Sequence, residues 1–339
     1  MKYCKFTYIF LIIISNTSFG KEFDKLFTVY EPIIDSSNIE KSINTAFNKM
    51  IFRLSGDPSP SNIWKIINAG NNRKDFITSY SIENQNGIAH LKVIFEKELL
   101  VNTFDELSIQ MIGNSRPVFL FLINLDSGID KPYLLSENAS RSDLDKRIKK
   151  YLKDKSMSRG IFFELPDLDL ISINELDKYK RLIGEKKYIS DQYDNDETIE
   201  ISISNIGFDS WIVSGDIEFK TTYSNLIKMI ITELDIFLNK KIDLYFDSKK
   251  INTNKIKKVQ ILINNINNFK DYKKSKQEIE SFVSFKNMSI KKFHIDNILY
   301  EVEIYGDEKT FFSELQDNNF LEVMGNLNLN KPIQVNYRR

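Results

Sequence analysis

Val118-Phe119-Leu120-Phe121-Leu122-Ile123-Asn124-Leu125 is a near-continuous apolar run of strand length. A strand with one wet face alternates apolar and polar side chains, whereas a strand covered on both faces does not; this run therefore predicts a fully covered strand in an α/β sheet. The residues that follow keep that sense. Leu144, Ile148, Tyr151 and Leu152 share one side of a helix, Ile161 to Leu165 reads as a strand, and a second helix is predicted near Ile173 to Ile183. Strands at Ile199 to Ser204 and Trp211 to Phe219 precede a long helix carrying Leu226, Ile227, Ile230, Leu234 and Phe237. Alternating helices and strands make residues 117–250 a central α/β sandwich.

On its N-terminal side, residues 21–116 read as a small α/β domain. After a short strand around Phe27 to Tyr30, the residues Ile39, Ile43, Ala46, Phe47, Met50, Ile51 and Leu54 recur at helical spacing. Ser37 with Glu40 forms a capping box, and Gly56 supplies a C-terminal stop. A turn at Asp57-Pro58-Ser59-Pro60 and a short helix through Trp64 and Ile67 come next. Strands Asp75 to Ile82 and Ile88 to Phe95 then flank the hairpin signal Asn86-Gly87, and a helix is predicted near Leu99 to Met111.

On the C-terminal side, Asp247 to Lys258 loses its apolar periodicity and reads as a linker. Strand Val259 to Ile263, helix Phe269 to Phe282, strands Ser289 to His294 and Ile298 to Tyr305, helix Glu308 to Leu315 and strand Ile333 to Tyr337 follow. This is the βαββαβ order of a ferredoxin-like domain over residues 255–339. Such a sheet leaves edge strands, and an unpaired edge can accept a strand from a protein partner.

The first twenty residues carry an address. Lys2 and Lys5 precede an apolar or aromatic-rich stretch from Phe6 to Ile14, and the polar run Ser15-Asn16-Thr17-Ser18 follows it. That is the n-, h- and c-region order of a secretory signal peptide. Ser18 and Gly20 supply the small residues for a cut between Gly20 and Lys21. The apolar stretch is about half the roughly 20 residues a membrane span needs. The expected mature protein is therefore periplasmic, with no transmembrane segment. It also lacks a thiol, because Cys4, the single cysteine, leaves with the signal. The chain has 47 basic and 47 acidic side chains, so losing Lys2 and Lys5 leaves a net charge near −2, which does not favour nucleic acid.

Four phrases occur in a recognisable order: IFRLSGD at Ile51 to Asp57, NSRPVFLFL at Asn114 to Leu122, RGIFFELPDLD at Arg159 to Asp169, and Val335-Asn336-Tyr337 at the close. Through them the chain resembles the proteobacterial family called domain of unknown function 2066, across nearly the whole mature length. It departs from the family pattern at Ile112, where a tryptophan is expected nearby, and in its tyrosine-arginine ending. The resemblance implies an exported envelope protein. It implies no catalytic residue, because none of these phrases is a catalytic signature.

The residues themselves offer little reactive chemistry. His90 and His294 fall on predicted strands of different domains, which disfavours a histidine triad or a two-histidine metal site within one domain. Walker-type loops, Gly-x-Gly-x-x-Gly turns and Gly-x-Ser-x-Gly elbows are absent, so no cofactor is expected. Asp191, Asp194, Asp196 and Glu197 crowd a loop but lack the spacing and turn glycine of a calcium hand, and read as a solvated acidic loop. Asp167 and Asp169 follow a strand end where open α/β sheets bind ligands, but Pro166 also makes them simple strand terminators. Arg53, Arg116 and Arg159 stand before turns or strands. Their default role is structural, as Arg53 near Gly56 complements a helix dipole, and the alternative is an anion clamp.

These readings favour a non-catalytic periplasmic protein that binds or organises another envelope component, with an envelope protein as partner. Two rivals stay open. One is a carboxylate-dependent hydrolase of an envelope polymer, needing paired acids roughly 5 to 9.5 Å apart. The other is a small-ligand receptor that uses the strand ends of the central domain.

Overall fold

The computed structural model describes residues 21–23, 25–33, 39–85, 87–129, 131–167, 189–190, 192–328 and 331–338. The proposed signal segment, Ser37, Asn86, Asp169, Asp191 and the predicted helix near Ile173 to Ile183 lie outside them. Among the described residues seven α-helices and several sheets give a mixed α/β and α+β chain, as the sequence predicts. Among the described residues no helix is long and apolar enough to cross a membrane.

The run at Val118 becomes β7 (Val118–Asp126), with β10 (Glu197–Gly207) parallel to it. Phe119, Phe121, Ile123 and Leu125 point into one core, while Leu120 and Leu122 pack with Ile189 on the other face. Both faces are covered, which is why the run does not alternate. The predicted strand Trp211 to Phe219 is two strands, β11 (Ser210–Gly215) and β12 (Phe219–Thr221), paired antiparallel. Gly215, at φ 114°, makes the break, since a Cβ there would come within 2.2 Å of the Glu200 carbonyl oxygen. Strands β8 (Tyr133–Leu134) and β9 (Phe162–Glu164) share the outer edge of β7.

Helices α4 (Asp143–Arg159) and α5 (Tyr223–Lys249) cover the first face. The buried residues of α5 are Leu226, Ile230, Leu234, Leu238, Ile242 and Phe246. A step of four residues advances about 40° beyond a full turn, so this stripe winds around the helix and follows a twisted surface. The predicted linker at Asp247 is therefore shorter than expected. Helix α5 runs on to Lys249, and β13 (Lys250–Ile251) pairs with β5 (Met111–Ile112).

In the N-terminal part, β2 (Thr28–Pro32), β4 (Ile88–Phe95) and β3 (Ile77–Gln85) form an antiparallel sheet in the order β2-β4-β3. It packs on α1 (Ile39–Ser55), α2 (Ser61–Asn68) and α3 (Lys97–Glu106). The strand predicted from Asp75 begins later, because Arg73–Phe76 forms a 3-10 turn. The helix predicted to Met111 ends at Glu106, where Ser108 takes a left-handed φ of 52° and Met111 enters β5. Ahead of this sheet, β1 (Lys21–Glu22) pairs with β6 (Ser115–Arg116).

The C-terminal part follows the βαββαβ order with one strand added. β14 (Ile256–Asn264), α6 (Phe269–Glu280), β15 (Phe285–Phe293), β16 (Asn297–Tyr305) and α7 (Glu308–Asp317) precede β17 (Leu321–Met324) and β18 (Ile333–Tyr337). The sheet order is β15-β16-β14-β18-β17. A helical crossover from β16 sets β17 parallel to β16, and the hairpin to β18 reverses direction again. The closing strand consequently runs parallel to β14, where an unmodified ferredoxin-like sheet closes antiparallel.

Candidate functional site

Because β7 and β10 are parallel, both strands release the chain at the same end, with Leu125 opposite Ile203 and Asp126 opposite Ser204. Helices α4 and α5 begin at that end. A pocket of about 560 Å³ opens there, walled by Leu125, Ile129, Leu144, Phe208, Trp211 and Tyr223. This is the carboxyl-end position where open α/β sheets take ligands. Leu125, Leu144 and Trp211 form a buried floor, while Ile129, Phe208 and Tyr223 stand exposed around the rim. The Trp211 and Tyr223 rings lie 5.8 Å apart.

Local hydrogen bonds hold these walls. Asn205 accepts from the Gly207 amide at 2.9 Å, which tightens the β10–β11 turn and presents Phe208 at its tip. Asp209, at φ 55°, accepts from the Tyr223 amide at 3.0 Å and so answers the N-terminus of α5. Ser142 caps α4 by accepting from the Asp145 amide at 3.1 Å, and it also accepts from the Tyr133 hydroxyl at 3.1 Å. Ser127 accepts from the Ile129 amide at 3.3 Å. Both helix N-termini already meet oxygen acceptors, and α4 carries Asp143 and Asp145 in its first turn. The polar wall groups thus shape the pocket, and its accessible surface is chiefly apolar and aromatic.

The three arginines of the sequence phrases converge elsewhere, where the C-termini of α1 and α4 meet. Arg53 donates from Nη1 to the Leu26 and Thr28 carbonyls at 2.9 and 2.7 Å, and from Nη2 to the Met157 carbonyl. Arg116 donates to the carbonyls of Arg53 at 3.0 Å and Ile112 at 3.2 Å. Arg159 donates to the Gly56 carbonyl at 3.1 Å and to Asp243 at 2.7 Å. Arg116 and Arg159 lie 5.3 and 5.7 Å from the centre of the Phe246 ring. Desolvation pulls Arg53 down to about 10 and Arg116 to about 9, the charge of Arg53 adding to the effect on Arg116. Both stay protonated at neutral pH.

Gly56 and Gly160 make this meeting possible. Each has a left-handed φ, and a Cβ would come within 2.9 Å of Phe246 at the first and 2.6 Å of Arg53 at the second. The guanidiniums satisfy the carbonyls that helix ends leave open and face the negative ends of two helix dipoles. Their partners are mainly backbone oxygens. The cluster therefore fits the structural reading better than an anion clamp.

A further buried junction surrounds Gly113 and Asn114. Glu314 accepts from the Asn114 amide at 2.8 Å and from the hydroxyl of Ser284, while Asn114 accepts from the Val283 amide at 3.2 Å. Desolvation raises the Glu314 carboxyl above its ordinary range against these bonds. Lys97, pulled down to about 8 by burial, donates to the Phe282 carbonyl at 2.8 Å and to that of Glu280. Asp317 is pushed up to about 7 by desolvation, opposed by a hydrogen bond from Ser115. Glu314, Asn114 and Asp317 tie α7 and the loop after α6 to β6 and its approach, and Lys97 ties that loop to α3.

The remaining singled-out residues stay apart. His90 sits on β4 with Nδ1 2.9 Å from the Ile88 carbonyl, and His294 is exposed beside the β15–β16 turn. Asp167 accepts from Asn138 at 2.7 Å, and its amide donates to the Tyr193 hydroxyl at 2.6 Å, away from the pocket walls. Asp196 accepts from the Val118 amide at 2.8 Å, at the end of the sheet opposite the pocket. Glu197 takes a salt bridge from Lys241, and Asp194 is exposed. Among the described residues no group of three or more histidine, cysteine or acidic side chains is arranged to hold a metal ion. Lys21 pairs in β1 and reaches Glu164 at 3.0 Å; Gly20 precedes the described residues. The small-ligand alternative pointed to the strand ends of the central domain but to none of the pocket walls, whose one readable signal is Phe208 between Gly207 and Asp209 in a turn. No protein-family profile, curated protein or solved structure matches the chain.

Proposed function

We propose that this chain is an exported cell-envelope protein that works by binding, and that the strand-end pocket takes an apolar group of its ligand. The observation that carries the reading is the exposure of Ile129, Phe208 and Tyr223 around the buried floor at Trp211. The size of the pocket falls within the roughly 300–1,000 Å³ of small-molecule sites. Fully covering an apolar side chain is worth about 1.5–3 kcal/mol, and association costs roughly 4 kcal/mol or more. Three rim residues together outweigh that cost only modestly. The expected affinity for a small apolar ligand is accordingly weak, and a larger envelope component would add contacts of its own.

The signal-like first twenty residues and the resemblance to the exported domain of unknown function 2066 family support the periplasmic address. Calorimetry with decanoate below its micellar concentration, and separately with an apolar tripeptide amide, tests the binding. F208S should weaken whichever ligand binds. Absence of heat with both would remove the reading. Intact-mass measurement of the protein from its native envelope fraction tests the address, with a chain beginning at Lys21 expected and retained Met1 contradicting it.

A further inference from the structure

Edge strands differ in how well they are protected from pairing with another chain. In the C-terminal sheet, edge strand β15 carries Lys286, Lys291 and Lys292 and two register shifts, and edge strand β17 has four residues. Both carry the usual defences. Edge strand β3 in the N-terminal sheet is different. It has nine residues, Ile77-Thr78-Ser79-Tyr80-Ser81-Ile82-Glu83-Asn84-Gln85, with no proline or lysine and with its one register shift near the start.

Among the described residues no strand pairs with its outer row, and the ladder shows which backbone groups form that row. The Ile33 amide donates to the Ala89 carbonyl at 2.8 Å, so Ala89 on β4 turns its backbone towards β2. Asn84, opposite Ala89, then sits in a pair without hydrogen bonds across β3 and β4, and so by alternation do Ile82 and Tyr80. Their amides and carbonyls point outward. The side chains of Tyr80 and Ile82 lie on the core-facing side, opposite the buried Val93 and Leu91, yet they are 57% and 61% exposed. Helix α1 stops short of this edge. A groove of about 640 Å³ remains, lined by Ile39, Ile43, Ile77 and Tyr80.

We infer that β3 pairs antiparallel with β3 of a second copy of this chain, about a two-fold axis at Ser81. In that register Tyr80 faces Ile82 of the partner copy, an aromatic on β-branched pair, and their outward backbone groups exchange hydrogen bonds. Glu83 faces Ser79, which avoids the like-charge pair that moving the axis two residues along the strand, to Glu83, would create. The strand is thus complementary to itself, the requirement of a two-fold interface. The two Tyr80–Ile82 pairs extend the uncovered core face across the axis, beside the groove. A ladder this short buries less than the roughly 1,200–2,000 Å² of a stable interface, so the dimer is concentration-dependent.

The test uses the full chain with C4S, which leaves no native cysteine. Across the axis the two Ser81 residues form a pair without hydrogen bonds, at a Cα separation of about 4.5 Å that a disulfide can span. S81C should therefore oxidise to a covalent dimer, while N84C, set off by several residues from its own copy, should not. Sedimentation of the parent should approach twice the monomer mass as concentration rises. I82P should remain monomeric with an unchanged melting temperature, because the lost amide faces outward and closes no bond to β4. A parent that stays monomeric throughout, or equal cross-linking of S81C and N84C, would overturn the inference; binding of β3 to another protein would appear as the first of these.

Discussion

Arg53 and Arg159 cap each other's helices. Arg53, in the last turn of α1, donates to the Met157 carbonyl near the end of α4, and Arg159, which closes α4, donates to the Gly56 carbonyl 3.1 Å away just past α1. Residues about a hundred positions apart in the chain thus satisfy one another's open carbonyls. Arg116 completes the arrangement from β6 by reaching the Arg53 carbonyl at 3.0 Å.

Removing Arg53 should cost more than removing Arg159. R53M leaves the Leu26, Thr28 and Met157 carbonyls without their donor, at about 1–3 kcal/mol for the buried Leu26 acceptor and less for each of the two part-buried ones. R159M orphans one such carbonyl and frees Asp243, which is already half exposed. Urea unfolding should show a loss above about 3 kcal/mol for R53M and about 1–3 kcal/mol for R159M. The reverse order would refute the cross-capping account.

Gly160 offers a second test of the same contact. It has φ 64°, and a Cβ would lie 2.6 Å from Arg53 Cγ, whereas Gly70 has φ 89° with nothing within 4 Å. G70A should therefore lose only the left-handed strain, about 1 kcal/mol, and G160A that strain plus the displacement of Arg53, about 2–3 kcal/mol. Equal losses in thermal unfolding would mean that Arg53 yields freely.

Much of the fold is legible in the sequence because burial leaves periodic marks. The unbroken run from Val118 marks a strand covered on both faces, and the apolar spacing from Ile39 to Leu54 marks α1. Strand β17 escaped notice because Leu321 to Met324 is four residues long, too short for a clear period. Arg53 and Arg159 could be read singly as residues near helix-ending glycines. Their convergence depends on where two helix ends meet in space, which local spacing does not encode. The strand-end position of the pocket follows from the α/β order, but its walls do not, since they come from four separate segments and only the tip residue Phe208 breaks a local rule.

Acid should stabilise the junction around Asp317. Burial holds this carboxyl up to about 7, with Ser115 and Lys249 opposing, against 3.8 as the ordinary value. The folded state then keeps its proton to higher pH than the unfolded chain. The contribution to stability is greatest below about pH 4, falls as pH rises towards 7, and is constant above that. Glu314, raised chiefly by burial, acts in the same direction. D317N should flatten part of the slope of stability between pH 4 and 7; an unchanged slope would place the titration elsewhere.

The binding account rests most directly on Trp211, which lies in the pocket floor at 6% exposure, while Trp64, the other of the two tryptophans, is 61% exposed. W64F therefore leaves a single tryptophan, inside the proposed site, which excitation near the red edge of the absorption band reads apart from the tyrosines. Titrating W64F with decanoate or the apolar tripeptide amide should shift the Trp211 emission to the blue or quench it along a saturating curve. F208S in the same background should move that curve to higher ligand concentration by about tenfold, as loss of roughly 1.4 kcal/mol of apolar contact requires. Trp211 emission that ignores both ligands, or a curve unmoved by F208S, would contradict the claim that this pocket binds an apolar group.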